Sequence, residues 1–383
     1  MDGRIVAPKI IRGDLFNIGV IEHVHQCLTQ SRYVLRIRSH EDVEVPSRTV
    51  KAVGSHCHRA DDGVIDVVPL QRFEDGNDVV KFHEKKLPAR PVLNLYLEAA
   101  RPRTLPAAVA PVLVGTAAAD VVPDGFSAVR AVLALVVALA LQVAVNYAND
   151  YFDGVKGVDT EARVGPRRAV ASGLLSTNAV KAAMVVALLV GALAGLGLAV
   201  LAGWELLLVG VAALLATLGY SGGSKPYASA GLGEIVVFVF FGLVATVGSA
   251  YVQDEALTIV PALAAIPMGT FAVALLVVNN LRDVATDAAV GKRTLAVRLG
   301  ERRTRTFYAV LMATGFVMLL PLGLVAQNAW LALPLLAAPL AYAAVRTVLG
   351  GARGMDLIGA LAPTAQAQLV YAAMLTVALV ASS

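Results

Sequence analysis

Residues 131–159 read AVLALVVALALQVAVNYANDYFDGVKGVD, so that an apolar run leads directly into a cluster of acidic and amide side chains. In the first half of this stretch the only polar side chain is Gln142. The apolar segment, over residues 127–148, has the length of about 20 residues that a helix needs to cross a bilayer. The polar half, from Asn146 to Asp159, follows where such a helix would leave the membrane. The stretch therefore predicts a membrane-spanning helix that ends in an acidic loop.

Comparable apolar runs recur along the rest of the chain. With the first they number nine, and we place them near residues 104–122, 127–148, 178–200, 204–220, 233–252, 258–281, 303–326, 328–348 and 358–381. Hydrophobic residues make up 57% of the chain and charged residues only 16%, whereas a soluble globular protein has about 25% charged residues. Gly, Ala and Ser are frequent inside the runs, and small residues let membrane helices pack closely. We therefore predict an all-α membrane protein with a bundle of nine transmembrane helices.

The first hundred residues differ in composition from the rest. They hold 14 of the 32 Lys and Arg residues and 14 of the 28 Asp and Glu residues. They also lack the apolar run that forms the centre of a signal peptide. We therefore divide the chain into a non-membrane N-terminal extension of unknown role, residues 1–95, and a membrane domain, residues 96–383. A translation start near residues 80–92, at a non-AUG codon, is an alternative explanation of the extension.

The extension also carries all six His residues and both Cys residues of the chain. Most of them form two clusters, which are His23, His25 and Cys27, and His56, Cys57 and His58. A zinc site is one interpretation, but the CxxC spacing typical of such sites does not occur. In the cytoplasm both thiols would stay reduced. Short β-like stretches at Tyr33–Ile37 and Val64–Pro69 would allow a small domain.

The distribution of positive charge predicts how the chain crosses the membrane. If the first span enters from the cytoplasm, 17 of the 18 Lys and Arg residues beyond residue 100 fall on the cytoplasmic side, and Arg130 alone falls on the other. Such an asymmetry marks the cytoplasmic loops of membrane proteins. We predict a multi-pass protein in the lipid bilayer of the cell membrane, with its N-terminus in the cytoplasm and its C-terminus outside. Charges placed in this way give no indication of nucleic-acid binding.

A second acidic loop, residues 279–293, reads NNLRDVATDAAVGKR and shares its pattern with the first. Each loop places one Asn and two Asp residues on one face of a helix, because their spacing is i, i+4 and i+7 or i+8. These residues are Asn146, Asp150 and Asp153 in the first loop and Asn279, Asp283 and Asp287 in the second. The two loops close spans that lie four apart, which indicates an internal repeat with two carboxylate faces on a shared cavity.

Oxygen ligands in this arrangement suit Mg²⁺, which often binds one or two carboxylates together with the phosphates of a substrate. Basic residues near both loops could neutralise the remaining charge of a diphosphate. The candidates are Arg163, Arg168, Lys225, Lys292 and Arg293. The pattern therefore predicts a site for magnesium and a diphosphate.

Two other interpretations of the acidic loops stay open at this point. Each cluster could be no more than a set of solvated charges at a helix end, although two matched clusters favour a site. A secondary transporter could also show a helical repeat and membrane carboxylates. Transporter sites lie near the bilayer midplane, whereas these Asp residues lie at helix ends.

Several segments resemble the UbiA superfamily of membrane prenyltransferases, whose members are nine-helix bundles with two Asp-rich motifs. The matching segments are Ala100–Pro106, Asn146–Asp159, Arg163–Arg168, Tyr220–Tyr227, Gly231–Glu234 and Asn279–Gly300. The resemblance covers about residues 97–383. The first and last of these segments are similar to the branch that prenylates 1,4-dihydroxy-2-naphthoate in menaquinone biosynthesis. The superfamily pattern has an acidic residue four positions after Asp153, where this chain has Gly157, and Asp159 is the nearest replacement.

The resemblance implies a Mg²⁺ cofactor and assigns roles to the acidic and basic residues. The catalytic carboxylates that hold the metal would be Asp150, Asp153, Asp283 and Asp287. Further metal ligands would be Asn146, Asn279 and Asp159. The diphosphate would bind to Lys225, Arg163, Arg168, Lys292 and Arg293.

The implied reaction transfers a polyprenyl group from a polyprenyl diphosphate to 1,4-dihydroxy-2-naphthoate, with loss of CO₂ and diphosphate, and gives demethylmenaquinone. Arg101 or Arg103 would hold the acceptor carboxylate, and a role only in topology is the alternative for both. The aromatic residues that could shield a carbocation, or simply pack between helices, are Tyr147, Tyr151, Tyr220 and Phe240. Another acceptor, namely 4-hydroxybenzoate, homogentisate or a phosphoribosyl sugar, stays an alternative.

Overall fold

The computed structural model describes residues 33–37, 63–67, 82–85, 91–120, 125–157 and 168–381. The chain divides into two compact units, Met1–Pro91 and Val92–Ser383. In the first unit β1 (Tyr33–Ile37), β2 (Gly63–Val67) and β3 (Phe82–Lys85) form a sheet, in which β1 and β2 are parallel and β2 and β3 are antiparallel. The predicted stretch Tyr33–Ile37 coincides with β1, and the predicted stretch Val64–Pro69 overlaps β2 over its first four residues. Both clusters of His and Cys residues lie outside the described residues.

The described part of the second unit is helical throughout, which confirms the predicted fold class. Its helices are α1 (Val92–Ala100), α2 (Pro106–Ala117), α3 (Ala128–Val155), α4 (Thr177–Ala202), α5 (Leu206–Gly219), α6 (Gly233–Asp254), α7 (Ile259–Arg282), α8 (Val284–Ala289), α9 (Leu295–Ala326), α10 (Ala329–Leu349) and α11 (Gly354–Val380). Ser127, Ser176 and Thr294 begin α3, α4 and α9, and each hydroxyl accepts a hydrogen bond from the backbone N–H three residues further on. Such caps satisfy N–H groups that have no partner within the helix.

The number of full membrane spans differs from the prediction. Within the described residues, seven helices are long and apolar enough to cross a membrane. The other two predicted spans, the first and the fourth, coincide with the shorter apolar helices α2 and α5, of 12 and 14 residues. A helix of 12 residues is about 18 Å long, whereas the hydrocarbon core of a bilayer is about 30 Å thick. All nine predicted positions are therefore occupied by apolar helices, but the count of nine full spans is not confirmed.

Helix α7 is the centre of the bundle. In its most apolar segment 67% of the residues are buried, against 22% in α3. It packs against α2, α6, α9 and α11, and the ring of Phe271 lies 5.1 Å from that of Tyr371. Gly242 of α6 and Gly269 of α7 approach so closely that a Cβ atom on Gly242 would collide with the opposite backbone. The second acidic loop thus continues from the most buried helix of the bundle.

Arg130 connects three helix ends on the side opposite the acidic loops. Its guanidinium group donates hydrogen bonds to the carbonyl of Val252, at 3.0 Å, and to the carbonyl of Leu201. It also forms an ion pair with Glu255 at 2.8 Å. These contacts join the start of α3 to the ends of α4 and α6. The one basic residue that the charge pattern places on the outer side therefore has a structural role.

Candidate active site

A cavity of about 1320 Å³ lies among α2, α3, α4, α5, α6, α7 and α11. Residues of both acidic loops line its polar end. Its apolar body extends as far as Leu206, at the start of α5, and Val252, near the end of α6. The cavity is thus an elongated apolar space with charged and amide groups at one end.

One face of α3 forms a wall of the polar end. The polar side chains on this wall are Gln142, Asn146, Asn149 and Asp153, and steps of three or four residues place them on one side of the helix. The Oδ2 atom of Asp153 lies 3.1 Å from Nζ of Lys292 and 3.6 Å from the guanidinium group of Arg168. The ion pair with Lys292 joins the first acidic loop to the second.

Asp150 directly follows Asn149 and lies about 100° further around the helix. Only 1% of its surface is exposed. Its carboxylate accepts hydrogen bonds from the backbone N–H groups of Ala169, at 2.9 Å, and Val170, at 3.2 Å. Asp150 is not among the described residues that line the cavity. Its carboxylate thus holds the turn that follows Arg168, and its role as a metal ligand stays a prediction.

Two Asn residues of α3 form hydrogen bonds at the wall of the cavity. Asn146 lines the cavity, but its Nδ2 atom donates to the carbonyl of Ala100, at 2.8 Å, and to the hydroxyl of Thr104, at 3.0 Å. Asn149, which our sequence analysis did not select, lines the same wall, and its Oδ1 atom accepts a hydrogen bond from Ser221. The signal was available, since Asn149 precedes Asp153 by one helical turn and thus shares its face.

The second acidic loop contributes Asn279, Asp283 and Asp287, which all line the cavity. Their spacing of four residues predicts this common face. Arg282 forms two hydrogen bonds to Asp283, with Nε–Oδ1 and Nη2–Oδ2 distances of 2.8 and 2.6 Å. Asn280, the next residue of the loop, donates to Glu234 at 2.9 Å. Hydrogen bonds of Arg282 and Asn280 therefore hold the second acidic loop in place at the cavity.

The predicted diphosphate-binding cations separate into two groups. Arg168 and Lys292 line the polar end, beside Asp153. Lys225 and Arg293 are exposed and are not among the described residues that line the cavity. Arg163 lies outside the described residues. Arg282 also lines the cavity and is a cation that our sequence analysis did not select.

The oxygen donors at the polar end fit a hard divalent cation. They are the carboxylates of Asp153, Asp283 and Asp287 and the amides of Asn149 and Asn279. Within the described residues, no three His, Cys, Asp or Glu side chains lie close enough together to enclose a metal ion. Mg²⁺ suits so open a set, because it keeps several waters and binds phosphate oxygens as well as carboxylates. Asp159 lies outside the described residues.

Two of the four aromatic residues that we predicted to shield a carbocation line the cavity, and two do not. Tyr220 and Phe240 line the cavity, and so does Phe241, which our sequence analysis did not select. Both Phe residues belong to a π-helical segment of α6, Phe238–Val244, and such segments are frequent at functional sites. Tyr147 and Tyr151 are not among the described lining residues. Tyr147 donates a hydrogen bond to the carbonyl of Tyr96 in α1, and Tyr151 packs edge-on against Phe152.

Arg101 and Arg103 both line the cavity. Arg101 has the left-handed backbone conformation, with φ of 53° and ψ of 70°, which is uncommon for a residue other than Gly. Tyr220 lines the same cavity, and its phenol can donate a hydrogen bond there.

Comparison with known proteins extends this description. The profile of the UbiA prenyltransferase family matches residues 108–353. The 1,4-dihydroxy-2-naphthoate octaprenyltransferase of Mycobacterium tuberculosis is 47% identical over 279 residues, which cover 72% of this chain and 94% of that protein. The protein of the same name from Escherichia coli is 40% identical over 270 residues, which cover 68% of this chain and 86% of that protein.

Solved structures show the same fold at low sequence identity. A UbiA homologue from Archaeoglobus fulgidus, bound to GPP and Mg²⁺, is 16% identical and superposes with a TM-score of 0.55, covering 75% of this chain and 99% of that one. The apo structure of a UbiA homologue from Aeropyrum pernix gives a TM-score of 0.53 over 76% of this chain and 98% of that one. The fold, the matched profile and the identity to its relatives agree, and the chain belongs to the UbiA prenyltransferase family.

Proposed function

We propose that this chain transfers a polyprenyl group from a polyprenyl diphosphate to 1,4-dihydroxy-2-naphthoate, with release of CO₂ and diphosphate. The observation that carries the proposal is the 47% identity to a relative named for octaprenyl transfer to this acceptor, across 94% of that relative. The elongated cavity supports it, since an apolar body suits a polyprenyl chain and a polar end suits a diphosphate. Family membership also argues against the transporter alternative.

The polar end of the cavity would bind the diphosphate. Asp153, Asp283 and Asp287 would hold Mg²⁺ together with the amides beside them, and when bound the ion would neutralise charge on the diphosphate oxygens. Arg168 and Lys292 can donate charge-assisted hydrogen bonds to the same oxygens. Asp153 pairs with both cations and so keeps them in position before the substrate arrives. The residues thus stabilise the charge that develops as the diphosphate leaves.

The middle of the cavity would carry the reaction itself. Loss of the diphosphate leaves positive charge on the allylic carbon, and the faces of Tyr220 and Phe240 can stabilise a cation. The apolar walls exclude water that would otherwise capture it. The ring carbon that bears the carboxylate forms the new C–C bond, and its bond to the carboxylate then breaks. The electron pair of that bond returns to the ring, so that CO₂ and a demethylmenaquinol, the reduced form of demethylmenaquinone, are the products.

Arg101 is the residue that we assign to the acceptor carboxylate, because it lines the cavity and lies within electrostatic range of Tyr220. Arg103 lines the same cavity but is exposed. An alternative acceptor can be recognised by whether its product retains the carboxylate. A reaction with 4-hydroxybenzoate would alkylate the carbon next to the hydroxyl and keep the carboxylate.

A panel of acceptors tests the proposal. Membranes that contain the protein should convert 1,4-dihydroxy-2-naphthoate and a long polyprenyl diphosphate into a product whose mass equals the prenylated acceptor minus CO₂. Mass spectrometry of the extracted lipids would identify it. Membranes without the protein are the control. Product formed only from 4-hydroxybenzoate, homogentisate or a phosphoribosyl sugar would contradict the assigned acceptor but leave the family intact.

The polyprenyl chain would lie in the apolar body, and two glycines leave space there. Gly210 of α5 and Gly248 of α6 line the cavity, and a Cβ atom added to either meets nothing within 4 Å. Replacing either with Leu should reduce turnover of an octaprenyl donor by about tenfold or more, because the side chain occupies the space of the distal isoprene units. Turnover of geranyl diphosphate should change little. Gly323→Leu is the matched control, since its position is equally open but is not on the cavity.

The orientation in the membrane is also a proposal. We place the acidic loops, with their surrounding basic residues, at the cytoplasmic face of the cell membrane, the N-terminus in the cytoplasm and the C-terminus outside. The excess of Lys and Arg on one side supports this orientation. The diphosphate head group of the donor and the acidic acceptor would then lie at the cytoplasmic face, where the polar end is. In this proposal residues 1–95 form a separate extension outside the catalytic part.

A further inference from the structure

The turn that carries Arg101 is fixed by hydrogen bonds from α3. Arg101 precedes a single 3₁₀ turn, Pro102–Thr104, and has a left-handed backbone conformation. A non-Gly residue in this region carries a conformational cost, and such strain persists only where the surroundings impose it. The contacts of Thr104 show what imposes it here.

The Thr104 hydroxyl is the centre of this network. It donates a hydrogen bond to the carbonyl of Arg101, at 2.9 Å. It accepts one from Nε2 of Gln142, at 3.1 Å, and one from Nδ2 of Asn146, at 3.0 Å. A hydroxyl group has one donor and two acceptor positions, so that these three contacts use its full capacity. Asn146 also donates to the carbonyl of Ala100, at 2.8 Å.

The two amide side chains lie in the wall of the cavity. Gln142 and Asn146 are 6% and 3% exposed, and both are on the face of α3 that continues to Asp153. A buried amide that loses its acceptor carries a free-energy cost, which favours the observed geometry over alternatives. The network therefore connects the position of Arg101 to the helix that presents the first acidic loop.

We propose that Thr104, supported by Gln142 and Asn146, is a positioning residue that directs Arg101 toward the carboxylate of the acceptor and so sets the affinity for carboxylate-bearing acceptors. This inference rests on the proposed function. It assigns Asn146, through its amide nitrogen, to the support of the turn that carries Arg101. Thr104 itself acts only through Arg101.

The test is the effect of Thr104→Val on the two substrates separately. Val has the shape of Thr but cannot hydrogen bond, so that the bonds from Gln142 and Asn146 and the bond to the Arg101 carbonyl are lost. KM for the acceptor should rise by about tenfold, which corresponds to about 1.4 kcal/mol of binding free energy. KM for the polyprenyl diphosphate should stay within about twofold, as expected for a site whose diphosphate contacts are unchanged. Thr104→Ser should restore the acceptor KM.

A double-mutant cycle distinguishes positioning from a general loss of structure. In an Arg101→Ala background, Thr104→Val should add little further loss, because residues that act through one another are not additive. Thr364→Val is the matched control, since Thr364 is fully buried, bonds to Tyr308 and is not among the described residues that line the cavity. It should lower thermal stability without changing either KM.

The possible outcomes are distinct. Equal changes in both KM values, or full additivity with Arg101→Ala, would overturn the inference. If the wild type uses a different acceptor that carries a carboxylate, the assigned acceptor is wrong. The inference is then tested by the change in KM for that acceptor relative to the change in KM for the polyprenyl diphosphate. A wild type that uses only a phosphoribosyl acceptor, which has no carboxylate, would overturn both.

Discussion

Replacing Asp153 with Asn should lower the turnover number by about a thousandfold or more, because the substitution removes charge from the group that orders the polar end of the cavity. Asp153 contacts Lys292 and Arg168, and it faces the carboxylates of the second loop across the same cavity. Asp283→Asn should have a comparable effect, since the two loops bind the diphosphate together. Treatment with EDTA should also abolish activity, and added Mg²⁺ should restore it. Prenyl transfer by the purified protein in detergent or nanodiscs measures all three.

Control variants distinguish an effect on metal binding from an effect on folding. Asp356→Asn changes an exposed Asp that is not on the described wall of the cavity, and it should leave turnover unchanged. Binding of Mn²⁺, followed by electron paramagnetic resonance in the presence of a diphosphate, should weaken in Asp153→Asn and Asp283→Asn. Near-normal rates in either variant or in EDTA would show that the polar end is not the metal site.

Asp150→Asn provides a contrasting result. Its carboxylate accepts hydrogen bonds from the backbone of Ala169 and Val170, and Asp150 is not among the described residues that line the cavity. The variant should therefore keep its affinity for Mn²⁺ while its thermal stability falls, because the turn that follows Arg168 loses a buried acceptor. If Asp150→Asn loses as much Mn²⁺ binding as Asp153→Asn, Asp150 is a ligand of the metal.

Helical periodicity explains how much of the site can be read from the sequence. The spacing of Asn279, Asp283 and Asp287 predicts a common face, and all three line the cavity. In the first loop the same rule admits both Asn149 and Asp150, because each lies three or four residues from Asn146 and from Asp153. Asn149 lines the cavity, whereas Asp150 bonds to the turn at residues 169–170, a partner too distant along the chain for local patterns to show.

Other features depend on partners that are distant in the sequence. Tyr147 lies on the helix that carries the acidic loop, yet it bonds to the backbone of Tyr96, 51 residues earlier. The network around Thr104 likewise joins residues 38 and 42 positions apart. The positions of the nine apolar helices can be predicted from the apolar runs in the sequence. The short lengths of α2 and α5 cannot, because turns in the folded chain end both helices. Long-range contacts of this kind become visible only in the folded structure.

The second large effect concerns the acceptor carboxylate, which should leave as CO₂ for every prenyl group transferred. Attack at the carbon that bears the carboxylate interrupts the aromaticity of the ring, and only departure of the carboxylate restores it. Release of CO₂ should thus equal product formation at every time point. Removing the carboxylate-binding charge, in Arg101→Ala, should lower both rates equally, because the two events belong to one reaction.

The most direct measurement of the central claim uses 1,4-dihydroxy-2-naphthoate labelled at the carboxyl carbon, with a long polyprenyl diphosphate and the purified protein. Our account predicts that all of the label lost from the acceptor appears as CO₂, and that the prenylated lipid contains none. A prenylated product that retains the label would contradict transfer with decarboxylation. The absence of any naphthoate product, with turnover of 4-hydroxybenzoate or another acceptor in the same preparation, would contradict the assigned substrate.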